Sequence, residues 1–438
     1  MLEIKGKMNT AICYAKVIED EAVDQIRRMC DYALSEGTKI RIMPDVHAGK
    51  GCTIGTTMTI VDKVCPNIVG VDLGCGMYTV KLADTVLDFE NVDEACHFIP
   101  SGMNVWEGRM ERFDLTDLRC YRSLKDARRL ERSLGTLGGG NHFIEIDQSS
   151  DGFYYLIIHS GSRNLGKQVA EHYQQLAIDL QMGKEEYFHQ RDEIIRSYKD
   201  MGRRSEIQEE LQKLKQNFKT KSLLVPEDIC WLYGNFLEDY LHDVEICQKF
   251  AKRSRERMAE IIIEKTGMKA VEAFHTIHNY IDIKEMILRK GAIAAHKGEK
   301  VLIPINMRDG SVIAIGKGNP EWNYSAPHGA GRIMSRTKAK ELLNMTEYKD
   351  AMKGIYTTSV NEATLDEAPM AYKSLEDIID VIRDSVEVLD IMKPVYNFKT
   401  SNDDILWKKK KELKNGEADC EQIAGDGRKR EYSDFIGG

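Results

Sequence analysis

Six of the eleven histidines sit beside glycines or at the ends of apolar runs: His47, His142, His159, His278, His296 and His328. Asp45-Val46-His47-Ala48-Gly49 and Asp72-Leu73-Gly74-Cys75-Gly76 each place ionisable side chains at the end of an apolar stretch, next to glycine. Gly138-Gly139-Gly140-Asn141-His142, His159-Ser160-Gly161-Ser162-Arg163, His278-Asn279 and Pro327-His328-Gly329-Ala330-Gly331-Arg332 repeat the pattern. Glycine at such points lets the backbone approach a ligand closely and adopt positive φ. A carboxylate, a thiol and several imidazoles form the donor set of a borderline divalent metal. Imidazole suits Mn, Fe, Co and Zn, carboxylate leans toward Mn or Mg, and thiolate leans toward Zn. One thiolate could also bridge two ions. Taken singly, Cys75 reads as a small buried apolar side chain, and each histidine as a hydrogen-bonded core or surface residue. Six alike settings together point to a shared centre.

The glycine run Gly135-Thr136-Leu137-Gly138-Gly139-Gly140 is weak as a phosphate cradle, because it has no lysine-Ser/Thr ending and leads into a strand-like Asn141–Glu145. The arginines are more informative. Arg163 follows Ser-Gly-Ser, and Arg332 and Arg336 are expected at positions i and i+4 of a helix beginning near Gly329. Forked guanidiniums on one face near a helix start suit an anion.

These residues have to be carried by a sizeable fold. The chain has 438 residues, 42% hydrophobic and 30% charged, which supplies a large core and excludes global disorder. Lys+Arg of 62 against Asp+Glu of 70 leave a formal net charge of −8, so any nucleic-acid contact must be a local basic cleft rather than a basic coat. The ten cysteines form no CxxC pair, no apolar run is long enough for a membrane helix, and the N-terminus shows no signal-peptide pattern. Reduced thiols in a cytoplasmic protein are therefore expected.

Periodicity predicts an amphipathic helix over 17–36 and strands near 40–46, 54–61, 68–82, 142–146 and 154–159. Helices are expected at 90–98 and 115–134, strands at 271–283, 300–306 and 311–315, and further helices at 330–344 and 374–392. Cys13, Cys30 and Cys96 are expected on helices. The alternation indicates a mixed α/β, α+β-class architecture. Between about 165 and 270 the texture is long, highly charged helix, and 191–219 reads as a solvated arm. Residues 1–400 are expected as one catalytic domain, and 401–438 as a polar, lysine-rich, poorly ordered extension.

Together the motifs resemble the RtcB family of RNA ligases. The resemblance is carried, in order, by MPDVHAGKG, GVDLGCGM, GTLGGGNHFIEI, HSGSRNLG, HNY, RKGA, HGAGRIMSR and DEAPMAYK. It implies an RtcB-like fold and the joining of RNA 3′-phosphate or 2′,3′-cyclic phosphate ends to 5′-hydroxyl ends with GTP and two Mn²⁺. Position by position, it implies one ion on Cys75, His142 and His159, and a second on Asp72, Cys75 and His278. His328 falls on the family's histidine that becomes bonded to GMP. Asn141, Glu145, Ala330, Gly331 and Tyr372 fall on guanylate-contacting positions, and Lys399 falls on the family's closing lysine. Arg163 and Arg336 match positions suited to RNA phosphate, and Asp45 an acidic position near the metals. The resemblance also brings an archease-type activator into consideration.

Three features set the chain apart from better-known members: the segment GKGNPEWNYSAPHGAGR in place of a serine-rich one, the helical region 184–265, and the tail beyond Lys399. They suggest a divergent branch, in RNA repair or in tRNA splicing. Two other readings use the same residues. A Mn- or Zn-dependent phosphohydrolase would need the metal ligands but not His328. A non-catalytic RNA-end binder would need few of them.

Overall fold

The computed structural model describes residues 1–49 and 51–400; the expected C-terminal extension, 401–438, lies outside the described residues. Strands from both ends of this span meet in a single twelve-stranded sheet. Its order is Leu2–Lys5, Thr10–Cys13, Ile40–His47, Ile54–Thr59, Ile287–Lys290, Ala270–Asp282, Cys75–Leu82, Tyr154–Ser160, Phe143–Gln148, Val386–Lys399, Gly310–Gly316 and Lys300–Asn306. Every neighbouring pair is antiparallel except Thr10–Cys13 with Ile40–His47. The architecture is α+β, as the sequence indicates.

The central strands are apolar on both faces because both are covered. Alternation along Tyr154–Ser160 sends Leu156 and Ile158 to one side, where they pack with Val80, Ile144, Met258 and Ile262. Tyr155 and Ile157 go to the other side, against Met77, Leu302, Ile313 and Met392. His159 continues this second face, beyond the reach of the covering side chains. The register pairs it with Met77 on one side and Phe143 on the other. Glu145 and Asn397 pair two residues further along, and Lys399 pairs with Phe143. The end of this face, across adjacent strands, thereby carries polar side chains.

Of the charged helical region, Glu185–Asp200 and Ile207–Asn217 bury no residue and form the expected solvated arm. The long helix Gly234–Thr266 instead buries Leu237, Tyr240, Phe250, Met258 and Ile262 and lies against the sheet. Other boundaries differ from expectation. The first helix is confined to Asp20–Cys30, and the 115–134 region forms a short 3-10 helix at Tyr121–Ser123 and an α-helix only over Ala127–Arg132. Cys13 lies on a strand, not a helix. The predicted 374–392 helix stops at Ile382, and Val386–Lys399 is a fourteen-residue strand, rich in β-branched and aromatic residues. The predicted 330–344 helix is only Arg336–Leu342, capped by the Ser335 side chain, and Gly329–Ser335 is irregular. Arg332 and Arg336 therefore do not share a helical face.

The junction between the helical layer and the loops is tied by Asp243, which is fully buried. Its carboxylate accepts the Arg119 N–H at 2.8 Å, the Cys120 N–H at 3.0 Å and the Tyr173 hydroxyl at 2.8 Å. Asp243→Ala should therefore lower stability by about 3 kcal/mol or more, read from urea denaturation, because three buried donors lose their acceptor. Glu209→Ala on the exposed arm should change it by no more than about 0.5 kcal/mol.

Candidate active site and metal centre

Three strands deliver the candidate metal-ligating side chains, each at the point where its ladder ends. Cys75 opens the strand Cys75–Leu82, and His159 stands one residue from the close of Tyr154–Ser160. His278 is the extra residue of a bulge: Ile277 pairs with Gly76 and Asn279 with Cys75, leaving His278 between them without a rung. A bulge re-aims one side chain without disturbing the rest of the strand. His142 precedes Phe143–Gln148, and Asp72 lies in the turn before Cys75.

The donors converge on one sulfur. Cys75 Sγ lies 3.5 Å from His142 Nε2 and 3.3 Å from His159 Nε2. His142 Nε2 is 2.9 Å from Asp72 Oδ2, and His159 Nε2 is 3.3 Å from His278 Nε2. Two triads result, Asp72–Cys75–His142 and Cys75–His159–His278, with Cys75 common to both. These are the five residues the resemblance implied, but the histidines are shared out differently: His142 faces Asp72, and His159 faces His278. The reason is local, since His278 leaves its bulge on the side of His159.

The surroundings suit divalent cations. His142 Nδ1 lies 2.9 Å from the Leu137 carbonyl, and His159 Nδ1 lies 2.9 Å from the Asn141 carbonyl. For His159 the Nδ1–H donates to its carbonyl, leaving the Nε2 lone pair facing the centre. Burial, with neighbouring imidazoles adding to it, holds His159 and His278 well below the usual histidine range, so both rings are neutral. Burial raises the Asp72 carboxyl, but its hydrogen bond to His142 and the charges of His142 and Arg163 outweigh this and keep it below the ordinary value. Burial and then the Asp72 charge push the Cys75 thiol far up, so it becomes a thiolate when a cation binds. Carboxylate, thiolate and three imidazoles in two triads fit a pair of borderline divalent ions.

Beside this centre lies a cavity of about 830 Å³. Asn141, Glu145, His159, His328, Ala330, Gly331, Tyr372 and Lys399 all line it, so the expected guanylate-contacting set is gathered in one place. His328 stands ring-to-ring with His278, centroids 5.0 Å apart. Its Nδ1 is 2.7 Å from Asp45 Oδ2, and its backbone N–H donates to the same oxygen at 3.2 Å. Asp45 is fully buried on the strand Ile40–His47. It therefore orients His328 rather than joining the metal ligands. Gly331 has φ +75° and lies so close to Asp45 that a Cβ there would fall 2.9 Å from the Asp45 carbonyl oxygen, so the turn after His328 requires glycine.

Glu367, within DEAPMAYK, organises the far wall and was not singled out from the sequence. Lys399 Nζ donates to it at 2.6 Å and the Tyr372 hydroxyl at 2.7 Å, while Arg336 forms an ion pair with it and Arg332 Nη1 lies 3.4 Å away. Burial raises this carboxyl, but the Lys399 and Arg336 charges, with the Lys399 and Tyr372 hydrogen bonds, bring it down to about 2. Arg336 also donates to Asp366 at 2.7 Å. Arg163 donates to Thr136 Oγ1 at 3.1 Å and to the Gly102 carbonyl at 2.5 Å, with φ +59°. Both arginines expected at RNA phosphate thus hold protein groups here. A signal for Glu367 existed in its motif, but only the fold shows four cationic or hydroxyl groups meeting on it.

A family model described as tRNA-splicing ligase RtcB matches residues 33–115 and 107–400. RNA-splicing ligase RtcB1 of Escherichia coli is 31% identical over 398 residues, covering 81% of this chain and 88% of that protein. RNA-splicing ligase RtcB of a second Escherichia coli strain is 30% identical with the same coverage of both chains. The tRNA-splicing ligase RtcB of Aeropyrum pernix is 26% identical over 427 residues, covering 78% of this chain and 83% of that protein. With the motif residues of that family gathered around one cavity, and its match running from residue 33 to residue 400, this chain belongs to the RtcB family.

Proposed function

We propose that the protein is an RNA ligase that joins 3′-phosphate or 2′,3′-cyclic phosphate ends to 5′-hydroxyl ends, using GTP and two Mn²⁺, in RNA repair or tRNA splicing. The observation that carries this reading is His328, fixed through Nδ1 by buried Asp45 and standing at the cavity edge beside the metal triads. With Nδ1–H given to Asp45, Nε2 holds the lone pair. Nε2 attacks the α-phosphorus of GTP, forming an N–P bond and releasing pyrophosphate, and Asp45 stabilises the positive charge that develops on the ring. GMP then passes to the RNA 3′-phosphate, and the 5′-hydroxyl displaces GMP to form the phosphodiester.

Asp72, Cys75, His142, His159 and His278 would hold the manganese ions, which neutralise charge on phosphate oxygens. Glu145, Tyr372 and Lys399 line the same cavity and would hold the guanylate. Burial and the nearby Asp147 charge hold the Glu145 carboxyl well above its usual range, and its Oε2 accepts from Asn397 Nδ2 at 2.7 Å. A phosphohydrolase would need the two triads but would have no use for a buried carboxylate aligning a fourth histidine.

The deciding assay uses short RNAs with defined ends, GTP and Mn²⁺. Joining of 3′-phosphate to 5′-hydroxyl ends, with no joining of 3′-hydroxyl to 5′-phosphate ends, supports the reading; phosphate release without joining overturns it. Asp45→Asn should lower the guanylylation rate by about 10²–10⁴-fold with metal content unchanged, because the amide cannot hold the same tautomer. An unchanged rate in single-turnover labelling would refute the orienting role. Cys75→Ala should remove both metals, read by elemental analysis after gel filtration. Cys30→Ala, in the core, should retain them and lose only about 1–3 kcal/mol of stability.

A further inference from the structure

Arg255 is fully buried on the helix Gly234–Thr266, behind the metal centre and away from the cavity. Its Nη1 donates to the carbonyls of Gly74 and Ser160, both at 2.7 Å. Gly74 immediately precedes Cys75, and Ser160 immediately follows His159. The backbone ladder between these two strands ends at the Gly76–Ser160 pair. Past that rung the strands diverge, and the guanidinium spans the gap. One residue earlier, Ser254 Oγ accepts the N–H of Gly135 at 2.9 Å, at the head of the loop that leads to His142. A single helical turn thus fixes the backbone of three ligand-bearing segments.

Satisfying two carbonyls does not by itself require a guanidinium. Arg255 Nε and Nη2 are buried with no hydrogen-bond partner among the described residues, and the acidic groups within electrostatic reach are Cys75, Asp72 and Glu256. The charge is therefore kept facing the anionic donors of the metal centre.

We propose that Arg255 is a positioning residue of the metal centre: by clamping the Gly74 and Ser160 carbonyls it holds Cys75 and His159 at the separation that lets one sulfur serve both triads. This role rests on the reading of the two triads as metal sites. Groups that orient metal ligands from behind typically change metal affinity by 10–100-fold when lost.

The test is titration of the full-length protein with Co²⁺ alone, following the thiolate-to-metal charge-transfer band, with secondary structure checked by circular dichroism. Wild type should take up two Co²⁺. Arg255→Met should bind at least about tenfold more weakly and show a diminished band, and Arg255→Lys, which keeps a charged donor, should recover part of the loss. Leu237→Ala, a core truncation on the same helix, should keep wild-type affinity and band, which separates positioning from general destabilisation. A folded Arg255→Met protein with wild-type affinity and band overturns the role. Should Arg255→Met not fold, Arg255→Lys decides: weakened binding supports the role, and wild-type affinity overturns it. A wild type that takes up no Co²⁺ overturns the metal-site reading itself, and this role with it.

Discussion

The sulfur of Cys75, set between His142 Nε2 and His159 Nε2, is the contact on which the rest of the site depends. A single donor shared by two triads tolerates little drift, because moving it toward one triad opens the other. The fold meets that demand with strands rather than loops. Cys75 and His159 sit on neighbouring strands of a locked register, and His278 is brought in by a bulge on the third. Sites built on such elements hold geometry more tightly than sites on connecting segments. The strain of packing polar groups into an apolar interior is concentrated where ladders end, which is also where substrate can reach.

Electrostatics divide the cavity into two walls. On the metal side, neutral imidazoles and two potential anions await cations. On the opposite side, Lys399, Arg336, Arg332 and the Tyr372 hydroxyl converge on Glu367, which holds the three cationic groups in place. In a chain of net charge −8, these locally oriented cations, buried Lys399 among them, are what the cavity offers to an anion, not a basic surface. Asp45 and His328 stand where the two walls meet.

Much of this was legible from residue type and spacing. The pattern of ionisable residues at strand ends marked Asp72, Cys75, His142, His159, His278 and His328, which converge, and also His296, which instead faces Glu285 outside the cavity. Pairwise geometry was not legible, because which histidine faces Asp72 depends on a bulge that the sequence does not advertise. The stretch after His328 reads as helix because Arg332 and Arg336 fall four apart, yet Gly331 at positive φ breaks it and the helix starts at Arg336. The helix expected over 374–392 ends at Ile382, and its last residues, from Val386, belong to a strand. Arg255 and Glu367 were missed for a different reason: each looks like an ordinary surface charge until the fold buries it against its partners.

The central claim is that His328, aligned by Asp45, takes GMP covalently. The most direct measurement is incubation with radiolabelled GTP and Mn²⁺, followed by proteolysis and mass-spectrometric mapping of the labelled peptide. The account predicts one acid-labile, phosphoramidate-linked GMP on His328. GMP on a residue outside 323–332, or no covalent label in a protein that still joins RNA ends, would contradict it.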